Sequence, residues 1–288
     1  MKKTLLAAAT GLAISASASA AVMNDMYIDL GTNAYDESGL LKFWDANSTT
    51  GLFNQFAFNQ MLATSVYNVT DGSLLGDFYD TNILSELNAI SPTPTLPSLG
   101  QTLVGNLSPL TPPNGTVDAE DFNNTWMLQT QYHFDGILGA GGPTYTGGYF
   151  ELWFQDGVVN NRVLRADVTG SQLSAGNLNI FFDISYAADG FLFIQNPQGQ
   201  FIDAASLAGN FNPYEFILDT NVDPPIPTLD QMTFANFVPV GDDQFAPTVA
   251  YRQTTLDGSV TANIPEPGTM ALMGLGLLGL GLARRRKA

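Results

Sequence analysis

Between residues 177 and 186 the chain alternates strictly. Leu178, Ile180, Phe182, Ile184 and Tyr186 are apolar, and Asn177, Asn179, Phe181, Asp183 and Ser185 fall between them. A period of two is that of a strand with one buried face, so the pattern predicts a strand here. Residues 126–134 repeat it: Trp126, Leu128, Tyr132 and Phe134 take one face, and Gln129, Gln131 and His133 the other. Asp71-Gly72, Asp156-Gly157 and Asp189-Gly190 are hairpin turn pairs flanked by β-prone runs at 66–69, 149–154 and 191–194. Further strands are expected at 55–62, 231–238, 248–256 and 259–264. One helix is expected at 82–89, where Thr81 can cap and Ile83, Leu84 and Leu87 share a side. The stretch 91–115 carries six prolines among Ser, Thr and Gly residues and reads as an extended loop.

Short strands at this spacing predict an all-β fold, an antiparallel β-sandwich or jelly roll, with a short helix and a Pro-rich loop. One domain over 21–264 is the economical reading. A division at the loop is the alternative, but residues 21–90 are few for a sandwich of their own. Cysteine is absent, so neither disulfides nor thiolate chemistry contributes, and stability rests on a core for which 19 Phe and 10 Tyr supply material.

The two ends do not follow the strand pattern. Met1-Lys2-Lys3, the apolar run from Leu5 to Ala13, and Ala18-Ser19-Ala20 come in the order of a signal peptide over 1–20, cut before Ala21. At the other end Pro265-Glu266-Pro267 precedes an uncharged run from Gly268 to Ala283, and Arg284-Arg285-Arg286-Lys287 follows. A helix over 268–283 is expected to span the membrane. It is short against a hydrocarbon core of roughly 30 Å, and its glycines each cost about 1 kcal/mol of helix propensity, so it suits a transient stop better than a permanent anchor. The basic cluster is expected to stay cytoplasmic, which leaves the body facing outward.

These three parts, in this order, resemble the PEP-CTERM sorting tail of Gram-negative bacteria. The resemblance covers only 264–288. It implies an exosortase-like partner that recognises Pro265, Glu266 and Pro267, a passing contact with the inner membrane, and delivery to the cell surface or extracellular matrix. A retained anchor is the alternative. The body is loosely similar to floc-associated members of that group, which implies a role in biofilm, floc or exopolysaccharide association.

Six of the ten basic residues lie in the two ends, whereas only Glu266 of the 27 acidic residues does. The body keeps Lys42, Arg162, Arg165 and Arg252 and is therefore more acidic than the net charge of −17 for the whole chain. Such a field repels phosphate backbones and anionic lipid, so nucleic acid is not an expected partner.

Candidate chemistry in the body is sparse. The single histidine, His133, lies on the polar face of its strand and reads as an exposed strand residue, and there is no Gly-x-Ser-x-Gly elbow. Glu151 with Asp156 is the best place for a glycosidase carboxylate pair, against the reading of an edge carboxylate and a turn aspartate. Asp219, Asn221 and Asp223 alternate as oxygen ligands do at the start of a calcium loop, but Pro224-Pro225 stands where an EF-hand needs Gly. Calcium, there or at Asp242-Asp243, is the one cofactor left open. Trp44, Trp126 and Trp153 are candidates for sugar stacking, though the patterns around Trp126 and Trp153 favour burial. The expectation is a non-enzymatic surface or matrix protein, with a carbohydrate-binding module and a secreted glycoside hydrolase as alternatives.

Overall fold

The computed structural model describes residues 22–31, 48–97, 102–108, 120–174, 177–209, 215–221, 226–241 and 244–264. In chain order the strands are β1 (Val22–Met23), β2 (Met26–Ile28), β3 (Gln55–Asn68), β4 (Gly76–Thr81), β5 (Thr102–Leu103), β6 (Asn106–Ser108), β7 (Met127–Gly139) and β8 (Gly142–Gln155). There follow β9 (Asn160–Ser174), β10 (Asn177–Ala187), β11 (Leu192–Gln195), β12 (Phe201–Asp203), β13 (Glu215–Asn221), β14 (Thr233–Gly241) and β15 (Gln244–Ile264). One helix, α1 (Leu84–Leu87), follows β4.

The expected all-β antiparallel architecture is present, and its ladder closes on itself. Pairing runs β15, β13, β10, β9, β8, β7, β4, β3, and β3 pairs again with β15, every step antiparallel. The two inner faces that a sandwich draws from separate sheets thus come from one sheet curled into a barrel, closed by the β3–β15 pairing. Where β4 ends, β6 continues the wall along Gln55–Ala57 of β3 and β5 along Gln129–Thr130 of β7. The Pro-rich loop therefore contains two short strands, because Leu107 buries itself in the core while its neighbours complete a ladder.

Inward positions carry the apolar set. Phe56 and Phe58 of β3, Tyr132 and Phe134 of β7, Phe150 and Leu152 of β8, Ile180 and Phe182 of β10, and Phe216 and Leu218 of β13 are all buried in one cluster. Outward positions carry Gln131, Asp135, Arg165, Asp167 and Asp183, the reverse of a lipid-facing barrel. A second sheet of β12, β11 and β2 packs against the barrel through Met26, Ile28, Leu192 and Ile194.

Several local expectations change. Asp71 and Gly72, at φ 51° and 74°, make the turn of the β3–β4 hairpin as expected. Asp189-Gly190 does not join a hairpin, because β11 pairs with β2 rather than with β10. The strands expected at 248–256 and 259–264 are one strand, bulged between Leu256 and Gly258. A Cβ on Gly258 would run into the backbone oxygen of Asp219, so this glycine is a point of close approach between β15 and β13, not a turn. α1 is shorter than the predicted 82–89, and the Thr81 hydroxyl accepts from the Ile83 amide just ahead of it.

Among the described residues no helix is long and apolar enough to cross a membrane, and the span expected at 268–283 lies outside them. The last described residues are held from both sides. Asn263 pairs with Glu215 of β13 and with Met23 of β1, and Ile264 with Val22. The residues next to the expected signal cleavage and next to Pro265 are therefore cross-strand partners.

Candidate functional site

The outward face of β8 and β9 holds the most highly organised polar cluster. Glu151, only 5% exposed, accepts from the Arg162 guanidinium at 2.8 Å, the Arg165 guanidinium at 3.1 Å and the Trp153 indole at 3.2 Å. Register accounts for this convergence: Glu151 is opposite Arg165, and a bulge after Leu152 brings Trp153 opposite Arg162. Arg165 also donates to Asp167 at 2.9 Å and lies 4.0 Å above the Tyr149 ring, and Arg162 lies 4.7 Å above the Tyr186 ring. Asp156, the proposed partner of Glu151, instead accepts from the amides of Val158 and Val159 in the β8–β9 turn. The two carboxylates are thus engaged separately, one in ion pairs and one in a turn.

Beside this cluster lies a groove of about 710 Å³ lined by Trp153, Tyr186, Arg162, Asn161, Val159 and Phe191, within the roughly 300–1,000 Å³ of small-ligand clefts. Trp153 is half-buried and Tyr186 exposed, so both rings present area to the groove. Trp126 is fully buried and its indole donates to the Glu120 carbonyl at 2.6 Å. Trp44 lies outside the described residues.

His133 is on the outward face of β7 as its alternation predicts, but it is paired rather than free. Its ring nitrogens lie 2.9 Å from Glu86 and 3.0 Å from Asp135, and the ring stacks on Tyr79. The hydrogen bond to Glu86 outweighs the opposing effect of burial and, with Asp135, pushes the pKa up to about 9. The imidazole is therefore a cation at neutral pH, far from the poise a general base needs.

The strongest polar cluster inside the barrel was not anticipated. Arg252 of β15 is the cross-strand partner of Ser65 of β3, and Ser65 that of Asp80 of β4, so the three form one inward row. The Tyr145 hydroxyl donates to Asp80 Oδ2. Burial raises the Asp80 pKa, against the lowering effects of Ser65, Tyr145, Arg252 and His133. Burial likewise pushes the Tyr67 hydroxyl up to about 12 and raises those of Tyr132 and Tyr145. These groups line a cavity of about 80 Å³. The only sequence signal for it was an Asp and an Arg on strands of β-prone residues, and their meeting depends on pairings between distant segments.

The remaining candidates scatter. Asp219 lies in β13 opposite Asn179 and Ser259, and Asn221 ends the same strand; Asp223, Asp242 and Asp243 lie outside the described residues. Among the described residues no three His, Cys, Asp or Glu side chains gather as a metal site. Ala18, Ala20 and Ala21, the motif Pro265, Glu266 and Pro267, and the cluster Arg284, Arg285, Arg286 and Lys287 also lie outside them.

For the C-terminal end, comparison of sequences decides. Residues 263–287 match the family model of the PEP-CTERM protein-sorting motif. The chain carries a PEP-CTERM sorting tail. This motif marks the protein as an exosortase target, exported and sorted at the membrane towards the cell surface or the extracellular space. Comparisons with curated proteins and with solved structures found no match, so they lend nothing to the likeness between the body and floc-associated members.

Proposed function

We propose that this PEP-CTERM protein is a non-enzymatic component of the cell surface or extracellular matrix, a β-barrel body handed over by an exosortase and associated with exopolysaccharide in biofilm or floc. The observation that carries the reading is the sorting motif joined without a spacer to the last strand of the body. The engagement of Glu151 by two guanidinium groups and the protonation of His133 favour a binding role over a hydrolytic one. Deleting residues 265–288 tests the sorting half. The truncated protein is expected to stay in the cell or periplasm, and normal surface delivery without the tail refutes it.

A second reading, a carbohydrate-binding module, is favoured by the groove in which Trp153 and Tyr186 are both accessible. Arg162 and Arg165 are balanced there by Glu151 and Asp167, on a body that is otherwise acidic, so the polymer that fits is a neutral glycan, not an anionic one. Trp153→Ala is expected to weaken binding to neutral glycans by about 2 kcal/mol or more in an affinity-electrophoresis or glycan-array measurement, the level at which hot-spot aromatics begin. Unchanged binding argues against the module.

A further inference from the structure

Among the described residues four buried side-chain polar atoms have no hydrogen-bond partner, and three of them, Asp80 Oδ1, Tyr132 Oη and Arg252 Nε, belong to residues lining the barrel cavity. Unsatisfied groups are rare in folded interiors, so three around one cavity call for an occupant. We propose that the cavity is a binding site for a small zwitterion, an α-amino acid of the size of glycine or alanine, whose ammonium group meets Asp80 and whose carboxylate meets Arg252.

The spacing of the charges carries the argument. Asp80 and Arg252 sit in one row on either side of Ser65, two strand separations apart, or about 10 Å between backbones. They form no ion pair with each other; the Ser65 hydroxyl between them is hydrogen-bonded to Asp80, yet Asp80 Oδ1 and Arg252 Nε are left without a partner. A water bridging the two would satisfy hydrogen bonds but compensate neither charge, whereas a zwitterion compensates both in an interior where unpaired charge is costly. Rings reinforce the polarity. Tyr67, Phe78 and Tyr145 pack together beside Asp80, with Tyr67 stacked on Phe78 at 5.4 Å and Phe78 edge-on to Tyr145 at 5.3 Å, and aromatic faces attract an ammonium group. The Tyr132 hydroxyl can donate or accept. A cavity of about 80 Å³ is about half the roughly 150 Å³ that holds a benzene molecule, which favours the smallest amino acids over sugars and larger side chains.

Arg252, Thr254 and Leu256 of β15 line the cavity on one side, with Pro227 beside them. The site depends on neither the sorting tail nor the external groove.

Isothermal titration of the full chain in mild detergent tests the proposal, with glycine, alanine and leucine as zwitterions and ethylammonium and acetate as half-ligands. Glycine or alanine is expected to bind saturably at one site, with leucine and both half-ligands weaker by about tenfold or more. Asp80→Asn, which keeps the volume and removes the charge, and Arg252→Met are each expected to weaken glycine binding by about tenfold or more, with thermal melts verifying the fold. The absence of saturable heat with glycine and alanine up to about 10 mM overturns the proposal. So does ethylammonium binding as tightly as glycine, affinity unchanged in both folded variants, or a crystal grown with glycine that shows only water between Asp80 and Arg252.

Discussion

His133 illustrates what a single residue reveals of itself and what it does not. Its alternation with Gln129 and Gln131 placed it on the outward face, but Glu86, 47 residues earlier on α1, could not be inferred from spacing along one strand. The consequence is measurable. A histidine raised from 6.5 in the unfolded chain to about 9 in the folded one contributes stability that is complete below pH about 6.5 and is lost as pH rises through about 9. Denaturant unfolding from pH 6 to pH 9.5 is expected to show this decline, and His133→Gln to flatten it. An equal decline in the variant contradicts the assignment. Trp153 carries a similar lesson: its apolar neighbours predicted burial, whereas the bulge after Leu152 and the carboxylate of Glu151 hold the indole on the outer wall.

Among the elements, β10 was legible because it alternates from Leu178 to Ile184, and β7 for the same reason over 126–134. In β10 the extra residue Ser185 then turns Tyr186, expected on the buried face, outward. β9 was not legible, because it carries an extra residue at Val163 against β8 and another at Thr169 against β10, and these break the period of two. β15 was split because Asp257-Gly258 has the composition of a turn, while its backbone passes straight through and Gly258 serves to admit Asp219 of β13. Gly258→Ala is therefore expected to destabilise the protein by about 1–3 kcal/mol, as overpacking does, lowering Tm by about 2–4 °C per kcal/mol. Gly170 of β9, where an added Cβ meets nothing within 4 Å, is the control, and Gly170→Ala is expected to leave Tm nearly unchanged. Equal effects of the two substitutions contradict the close approach.

At the scale of the whole molecule, the sequence made the processing address plain and left the closure of the barrel hidden. Pro265-Glu266-Pro267, the uncharged run and the basic cluster form a contiguous signal, whereas the β3–β15 pairing joins segments near opposite ends of the body. The cavity row shares that invisibility, since Arg252 meets Ser65 only through the same closure. The fold then ties the two ends together, because Val22 and Met23 pair with the residues immediately ahead of the sorting motif. A body that holds its own ends in one sheet can remain folded after both extensions are removed. Intact mass spectrometry of the native extracellular protein tests this account most directly. The expected species begins at Ala21 and ends at or near Pro265-Glu266-Pro267, without the apolar run and the basic cluster; extracellular material extending intact to Ala288 contradicts it.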